Sequence, residues 1–485
     1  MPTNRMGGLD RDLVALAAVL LVGAIAALLD TTIVSVALPT IAADLDAQES
    51  SLQWVITGYL LTLALVTPLV GWGVDRFGAK PMWTFSLAMF LAGSLLCVSA
   101  WSITSLVAFR IVKGVGGGMI LPLCQAILAQ AAGPQRFGRV MALIALPAQL
   151  APIAGPLLGG VIVDGLGWRW IFAVNVPICL VALLAARQIP PTIRDRRNAP
   201  VDRVGLVLLP PGLGLLVYGL SRVHDPAGLA EPVTVVLLVA GTALVTGFCL
   251  HALRVAHPLL DLRLFTSRAF GASSALMFLH GAAIYGPLFL LPLFYARARG
   301  YDAATIGWLL APQGLGTVVA LSVAGVLVDR HGSRPLVLSG TAVAVAGTVA
   351  FTQLAAMPGD LLLGVSLFVR GVGLGLVGIA VTAGAYRDVG PASIAGATSL
   401  ISVVQRLGAS VGTTVVAVIL AAELPDPSGS ATAAQTAGAY GDAFWWTLAF
   451  TLVTFVPAAI LPRLRPRPGT GRYASDPGVA TDSQP

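Results

Sequence analysis

The chain has 485 residues, 56% of them hydrophobic and only 11% charged, where a soluble protein averages about 25% charged residues. That deficit excludes an ordinary water-soluble fold and puts most of the surface in lipid. The formal net charge of +7 does not point to nucleic acid, because the basic residues form no single block and recur in short loops between apolar runs.

A membrane span needs about 20 mostly apolar residues. Runs of that kind fall, in chain order, at Leu13–Leu38, Leu52–Trp72, Met82–Trp101, Ile103–Ala129, Gly138–Val163, Trp168–Ala186, Val204–Leu220, Pro232–Leu253, Ala269–Tyr295, Ala304–Val328, Pro335–Gln353, Leu361–Tyr386, Ser393–Ala421 and Ala443–Pro462, fourteen in all. The first is too long for a signal-peptide core and lacks a small-residue cleavage site, so it reads as the first span. Cys97, Cys124, Cys179 and Cys249 lie in apolar runs at no metal-like spacing, and are expected as buried thiols with neither disulfide nor metal. The stretches Glu423–Asp442 and 463–485 are expected as a polar external loop and a disordered tail.

An even number of spans puts both termini on one side, and the Arg/Lys bias identifies that side as the cytoplasm. On this reading 21 cations, among them Arg76, Lys80, Arg136, Arg139, Arg194, Arg196, Arg197, Arg330 and Arg334, lie at the cytoplasmic face, against Arg169, Arg222, Arg297 and Arg299 outside. The expectation is a multi-pass protein of the cytoplasmic (inner) membrane with both termini cytoplasmic.

Two segments at the ends of spans 2 and 10 nearly coincide. Gly71-Trp72-Gly73-Val74-Asp75-Arg76-Phe77-Gly78-Ala79-Lys80-Pro81 matches Gly325-Val326-Leu327-Val328-Asp329-Arg330-His331-Gly332-Ser333-Arg334-Pro335, at an offset of 254 (329 − 75). Lys113-Gly114-Val115-Gly116-Gly117-Gly118 matches Arg370-Gly371-Val372-Gly373-Leu374-Gly375, at 257 (370 − 113), and Gly155…Gly159 matches Gly408…Gly412, at 253 (408 − 155). Spans 9–14 therefore read as a second copy of spans 1–6, with spans 7 and 8 an inserted hairpin. Two such halves around a central site are an alternating-access layout. The expected fold is an all-α polytopic membrane protein of 14 transmembrane helices, two six-helix pseudo-symmetric bundles plus the hairpin. Its divisions are a cytoplasmic N-terminus (1–12), the first bundle (13–186), a basic cytoplasmic loop (187–203), the inserted helices (204–253), a second cytoplasmic loop (254–268), the second bundle (269–462) and the cytoplasmic tail (463–485).

With these features the chain resembles the major facilitator superfamily, in particular its fourteen-span drug:proton antiporter branch. The Gly71–Lys80 segment is similar to the superfamily's loop between spans 2 and 3. Leu29-Asp30-Thr31-Thr32-Ile33-Val34-Ser35-Val36-Ala37-Leu38-Pro39 resembles the branch's span-1 motif, and Gly155-Pro156-Leu157-Leu158-Gly159-Gly160 its span-5 antiporter motif. Trp168-Arg169-Trp170-Ile171-Phe172 with Asn175-Val176-Pro177 is similar to the span-6 entry. The resemblance implies a conformational latch at Gly71, Asp75, Arg76, Gly78, Lys80, Asp329 and Arg330. It also implies a bend at Gly155, Pro156, Gly159 and Gly160 that limits leakage, and a role for Arg110 in proton transfer. Lys113 departs from the branch's span-4 motif, which commonly has a polar amide there.

Asp30 is the one carboxylate well inside a span. Such a residue costs roughly 2.5–3.5 kcal/mol on insertion scales and so should face a cavity or a partner. It lies nine residues before Pro39 and Arg110 seven after Ile103, which puts them about 13 and 10 Å below the same surface. Asp30 and Arg110 are the expected proton-coupling pair; a static pair that only fixes packing is the alternative. Asp75 is placed to dock on the start of span 13 near Ser393, where a helix N-terminus favours an anion. Trp54, Tyr59, Gln125, Gln149, His280, Tyr285 and Gln313 are candidate cavity-lining residues, suited to lipophilic substrates through dispersion and cation–π contacts. Gly373–Gly378 fits a dinucleotide fingerprint only as letters, since no strand precedes it. No phosphate-binding loop occurs, so no ATP or cofactor is expected, and the energy must come from an ion gradient, with protons as the expected coupling partner, or from the substrate's own gradient. The expected function is proton-coupled export of lipophilic, neutral or monocationic drugs, with the lipid bilayer and a small molecule as partners and no nucleic acid. The alternatives are a specific metabolite transporter of the same fold, and a lipid flippase or membrane enzyme; no clustered nucleophile, base or metal ligands support an enzyme.

Overall fold

The computed structural model describes residues 11–46, 49–189, 202–223, 228, 230–256, 258–301, 303–387, 389–390, 393–424 and 432–462. The expected tail and most of the basic loop after span 6 lie outside the described residues, as do the side chains of Gln149, Pro156 and Asp329. Among the described residues the regular structure is entirely helical: α1 (Arg11–Asp44), α2 (Glu49–Val66), α3 (Leu69–Phe77), α4 (Ala79–Val98), α5 (Ile103–Leu166), α6 (Trp170–Ala173), α7 (Asn175–Ala185), α8 (Arg203–Ser221), α9 (Pro232–Arg254), α10 (Arg268–Arg297), α11 (Ala303–His331), α12 (Ser333–Val349), α13 (Asp360–Tyr386), α14 (Ile394–Glu423), α15 (Ala433–Val453) and α16 (Phe455–Ile460). In lipid a helix is the one open-ended element that satisfies its own backbone, which is why long apolar runs take this form.

Twelve stretches are long and apolar enough to cross a bilayer, and α2 with α3 forms a thirteenth, bent by 52° at its break. The 64-residue α5 supplies the remaining crossing. Drawn straight it would be about 96 Å long. Yet Arg110 near its start contacts Asp30, and Gly155 near its end abuts Thr32, two residues further along α1. Just past its end, Arg169 donates to the Ala100 carbonyl, just before its start. The run therefore folds back on itself as two antiparallel arms, and the fourteen crossings fit. The last span begins earlier than its hydropathy indicates. Thr432 and Gln435 form a reciprocal capping box, so α15 is helical from Ala433, inside the stretch expected as a polar loop.

The sequence repeat is also a packing repeat. Gly78 and Gly332, 254 residues apart, both take positive φ (92° and 85°) in the turn after α3 and α11, and each N–H donates at 2.8 Å, to the carbonyls of Val74 and Val328. Only glycine enters that region without strain. Deeper in, Gly93 of α4 lies directly on the backbone of Lys113, and Gly347 of α12 on that of Arg370. Lys113 and Arg370 thus occupy equivalent places in the two halves.

For convenience, the face from which α1 starts is the terminal face and the opposite one the distal face. At the terminal face α3 meets the start of α14: the Gly71 N–H donates to Ser399 Oγ at 3.1 Å, and a Cβ on Gly71 would stand 2.9 Å from the Gly396 Cα. Toward the distal face α8 lies between the halves, with Tyr218 beside Trp54 of α2 (centroids 5.3 Å apart) and the Leu220 carbonyl accepting from Thr414 of α14 at 3.2 Å.

The α8–α9 hairpin is tied at the terminal face by Asp202. Its carboxylate caps α8 through the Gly205 N–H (2.7 Å), accepts from the Leu259 N–H (2.9 Å) and faces His251 Nε2 of α9 at 2.7 Å. Burial alone would raise its pKa; the Gly205 N–H, His251 and the Leu259 N–H outweigh burial and hold it below the ordinary carboxylate range. A carboxylate depressed in the folded state stabilises above its unfolded pKa, and that stability is lost as pH falls through the folded one. Asp202→Ala is expected to lower hydrogen-exchange protection at Gly205 and Leu259 about fivefold at neutral pH, the loss of a cap of about 1 kcal/mol. Wild-type protection at the same amides should fall below about pH 4; an acid-insensitive profile would assign the tie elsewhere.

Candidate functional site

The first arm of α5 carries its charges one helical turn apart, so Arg110 and Lys113 share a face. That face meets α1 at Asp30. Lys113 Nζ lies 2.5 Å from one carboxylate oxygen of Asp30 and Arg110 Nη1 3.0 Å from the other, all three side chains being 1% exposed or less. The Arg110 Nε–H donates to the Val55 carbonyl of α2 at 2.9 Å. Its guanidinium lies 4.3 Å from the Tyr59 ring centre, and Lys113 Nζ lies 4.6 Å from Phe90 and 4.9 Å from Phe172. Aromatic faces attract cations without bringing in a competing negative group. The cluster is a carboxylate with both oxygens engaged, walled by rings and closed to bulk water.

The equivalent place in the second half lacks the carboxylate. Arg370, also 1% exposed, donates to Gln313 Oε1 at 2.6 Å and to the Ala283 carbonyl. His280 is buried near Gly378, with no hydrogen-bond partner at Nδ1.

The other expected residues scatter. Tyr59 belongs to the Asp30 cluster, and Gln313 to Arg370. Trp54 packs against Tyr218 of the inserted hairpin. Tyr285 is exposed and Gln125 half-buried. In the loop segment Gly71 touches α14, while Lys80 turns away and donates to the carbonyls of Arg187 and Ile189 at 2.8 and 3.1 Å, closing the end of span 6 within its own half. Asp75 and Arg76 are half-buried and Arg330 exposed. Gly155 and Gly159 are buried, Gly155 directly against Thr32, whereas a side chain on Gly160 would meet open space. Lys113 is the site residue that the sequence analysis left without a role. Its i, i+3 spacing from Arg110 was the available signal.

At the distal face each half is tied to itself. Asp44 accepts from Trp168 Nε1 (2.9 Å) and Arg169 (2.7 Å) in the first half; Asp360 accepts from Arg299 (3.2 Å) and Tyr301 Oη (2.6 Å) in the second. The Asp44 pKa is lowered, first by the Trp168 hydrogen bond and then by Arg169.

A helical frame built twice in one orientation, with buried charges inside each half, is the architecture of a secondary transporter. Residues 20–413 match the Major Facilitator Superfamily, and the chain belongs to that family of membrane transporters. It is 38% identical over 415 residues to a multidrug resistance protein B homolog of Mycobacterium tuberculosis (strain ATCC 25618 / H37Rv), covering 85% of this chain and 77% of the relative. Among solved structures it resembles the human organic anion transporter MFSD10 (TM-score 0.64, 17% identity, 93% of this chain and 100% of that one). It also resembles the proton:xylose symporter XylE (TM-score 0.58, 15% identity, 91% and 96%). At these identities the structural likenesses establish the fold alone.

Two outcomes follow from the geometry. Asp30→Leu should cost about 3–5 kcal/mol by leaving two buried cations unpaired, and adding Lys113→Leu should cost less than the sum of the single changes, read from unfolding of the detergent-solubilised protein. Strict additivity would show that the two side chains do not interact. Gly71→Val should force α3 off Gly396, and a Ser399→Cys reporter should then label severalfold faster with a membrane-impermeant maleimide; unchanged labelling would mean that α3 bends to absorb the side chain.

Proposed function

We propose that the protein is a proton-coupled exporter of lipophilic small molecules of the drug type, working by alternating access in the cytoplasmic membrane with its terminal face cytoplasmic. The observation that carries this is the sealed Asp30–Arg110–Lys113 cluster, which holds the one fully buried carboxylate among the described residues. The multidrug relative supports the drug-like substrate, and the cation bias toward one face supports the orientation.

In this mechanism Asp30, reached by a proton from the outside, becomes neutral and releases Arg110 and Lys113. The first arm of α5 is then no longer held to α1 by charge, and the halves are free to rearrange. Return of the proton to the cytoplasm restores both ion pairs. The Gly71–Ser399 contact closes the cytoplasmic end in the arrangement described, and its release would open that end to substrate. The proton gradient is the energy source, and no bound cofactor takes part.

The test uses proteoliposomes with an imposed pH gradient, an internal fluorescent pH probe and added lipophilic compounds. Wild-type protein should show substrate-dependent proton flux, and Asp30→Asn should lose it while keeping equilibrium substrate binding. Proton flux that survives in Asp30→Asn would remove the coupling role from this carboxylate. Substrate movement without proton flux in the wild type would overturn antiport itself.

A further inference from the structure

The spans carry an excess of positive charge. Of the 29 lysines and arginines, the span pattern of the sequence assigns 21 to the cytoplasmic side and four to the outside, and leaves Arg110, Lys113, Arg370 and Arg406 within spans. Asp30 is the one carboxylate at comparable depth. Asp442 of α15 is exposed, and its near neighbour Tyr440 is within electrostatic reach of Arg297 at the distal end of α10. The protein thus holds three uncompensated cations where a bare charge is costly.

Two of the four are consumed by Asp30, and Arg370 is satisfied by Gln313 and the Ala283 carbonyl. Arg406 is different. Twelve residues into α14, it sits about 18 Å from the terminal face, near mid-membrane, and it is only half-buried. Among the described residues it makes no hydrogen bond or ion pair. Ser399, two turns earlier and on the same side of the helix, touches the first half at Gly71. Arg406 itself lies within electrostatic reach of Tyr59 in the first half and of Tyr285 in the second. It is a half-buried guanidinium on the helix that meets the first half, without a hydrogen-bond or ion-pair partner among the described residues.

We propose that Arg406 is the anchor for the anionic head group of an amphiphilic organic anion, a carboxylate or sulfonate on an apolar body, which is the substrate class of this transporter. A guanidinium suits such oxyanions because its N–H groups match their geometry in pairs. Tyr285, which is exposed, offers the apolar body a surface. A lipophilic cation in the same place would face an excess of like charge. This reverses the charge expected from the sequence and rests on the export reading above. Exchanging an internal monoanion for an external proton moves charge in the same direction twice, so an inside-negative potential drives both legs.

The test is isothermal titration of the full-length detergent-solubilised protein with naphthalene-2-sulfonate and, separately, tetraphenylphosphonium. The sulfonate should bind at least about tenfold more tightly than the phosphonium, and Arg406→Gln should weaken it by about tenfold or more, the worth of a charge-assisted contact. Arg406→Lys, which keeps the charge but loses the paired N–H geometry, should bind between wild type and Arg406→Gln, and all variants should elute as the wild type does on size exclusion. Phosphonium binding as tight as sulfonate binding, or sulfonate binding indifferent to Arg406→Gln, would overturn the proposal. The same ions in the proteoliposome assay separate it from the export reading. Proton flux driven by the phosphonium alone would keep the antiporter and discard the anion site. Sulfonate binding that depends on Arg406 but drives no proton flux would keep the anion site and discard the coupling.

Discussion

Asp30 shares one carboxylate between two cations in a place that water does not reach. In the low dielectric of a helical bundle such a cluster is marginal in net stability but costly to break by halves, because any single removal strands a charge. Much of the first bundle is arranged around that constraint. Arg110 is anchored a second time on the Val55 carbonyl, so α1, α2 and the first arm of α5 are tied at one point. Tyr59, Phe90 and Phe172 wall the cations with rings. Gly93 lets α4 approach the backbone of Lys113 closely enough to leave no gap behind it. The packing holds the ion pairs short, and the ion pairs in turn fix the helix register.

The second bundle repeats the packing and omits the acid. Gly347 sits on Arg370 as Gly93 sits on Lys113, and the turn glycines Gly78 and Gly332 share one conformation. Opposite Arg370, however, α10 offers only the Ala283 carbonyl, with Gln313 reaching over from α11. Gln313 stands 254 residues after Tyr59, so one repeat position gives a ring under a cation in one half and an amide acceptor in the other. Duplication preserved helix-to-helix distances while the charges diverged. That is the division of labour expected if one half exchanges protons and the other carries the positive field.

The features that hydropathy and repetition encode were legible from the residues: the spans, the doubled architecture, and Asp30 as the lone acid at depth. A sliding apolar window measures what lipid selects for, and an intramembrane carboxylate stands out against it. Three features were not read. The helix from Ala433 opens on small residues interrupted by Gln435, Thr436 and Asp442, too weakly apolar to register as a span, so its start was hidden although the Thr432–Gln435 box marks it. Lys113 was misjudged because its partner lies 83 residues away and nothing local names it. Trp54 looked like a cavity residue because an aromatic in a span suits either a ligand or a neighbour; its neighbour, Tyr218, sits in a hairpin whose docking site neither sequence repeat specifies.

That hairpin constrains how the halves can move. On the first-half side α8 makes an aromatic pair with Trp54, and Gly214 lies close against Leu65 of α2. On the second-half side the Thr414 hydroxyl donates to the Leu220 carbonyl, a bond worth roughly 0.5–1.5 kcal/mol. A rocking of one half against the other at the distal face has to break one of these two attachments, and the weaker one is to α14. The hairpin is therefore built to travel with the first half and to slide along α14, the helix that also carries Arg406 and meets α3 at the opposite face. One helix thus carries a contact to α3 at one face, a contact to the hairpin at the other and a half-buried cation between them; under the transport cycle and anion site proposed above, opening, closing and substrate charge would all converge on α14.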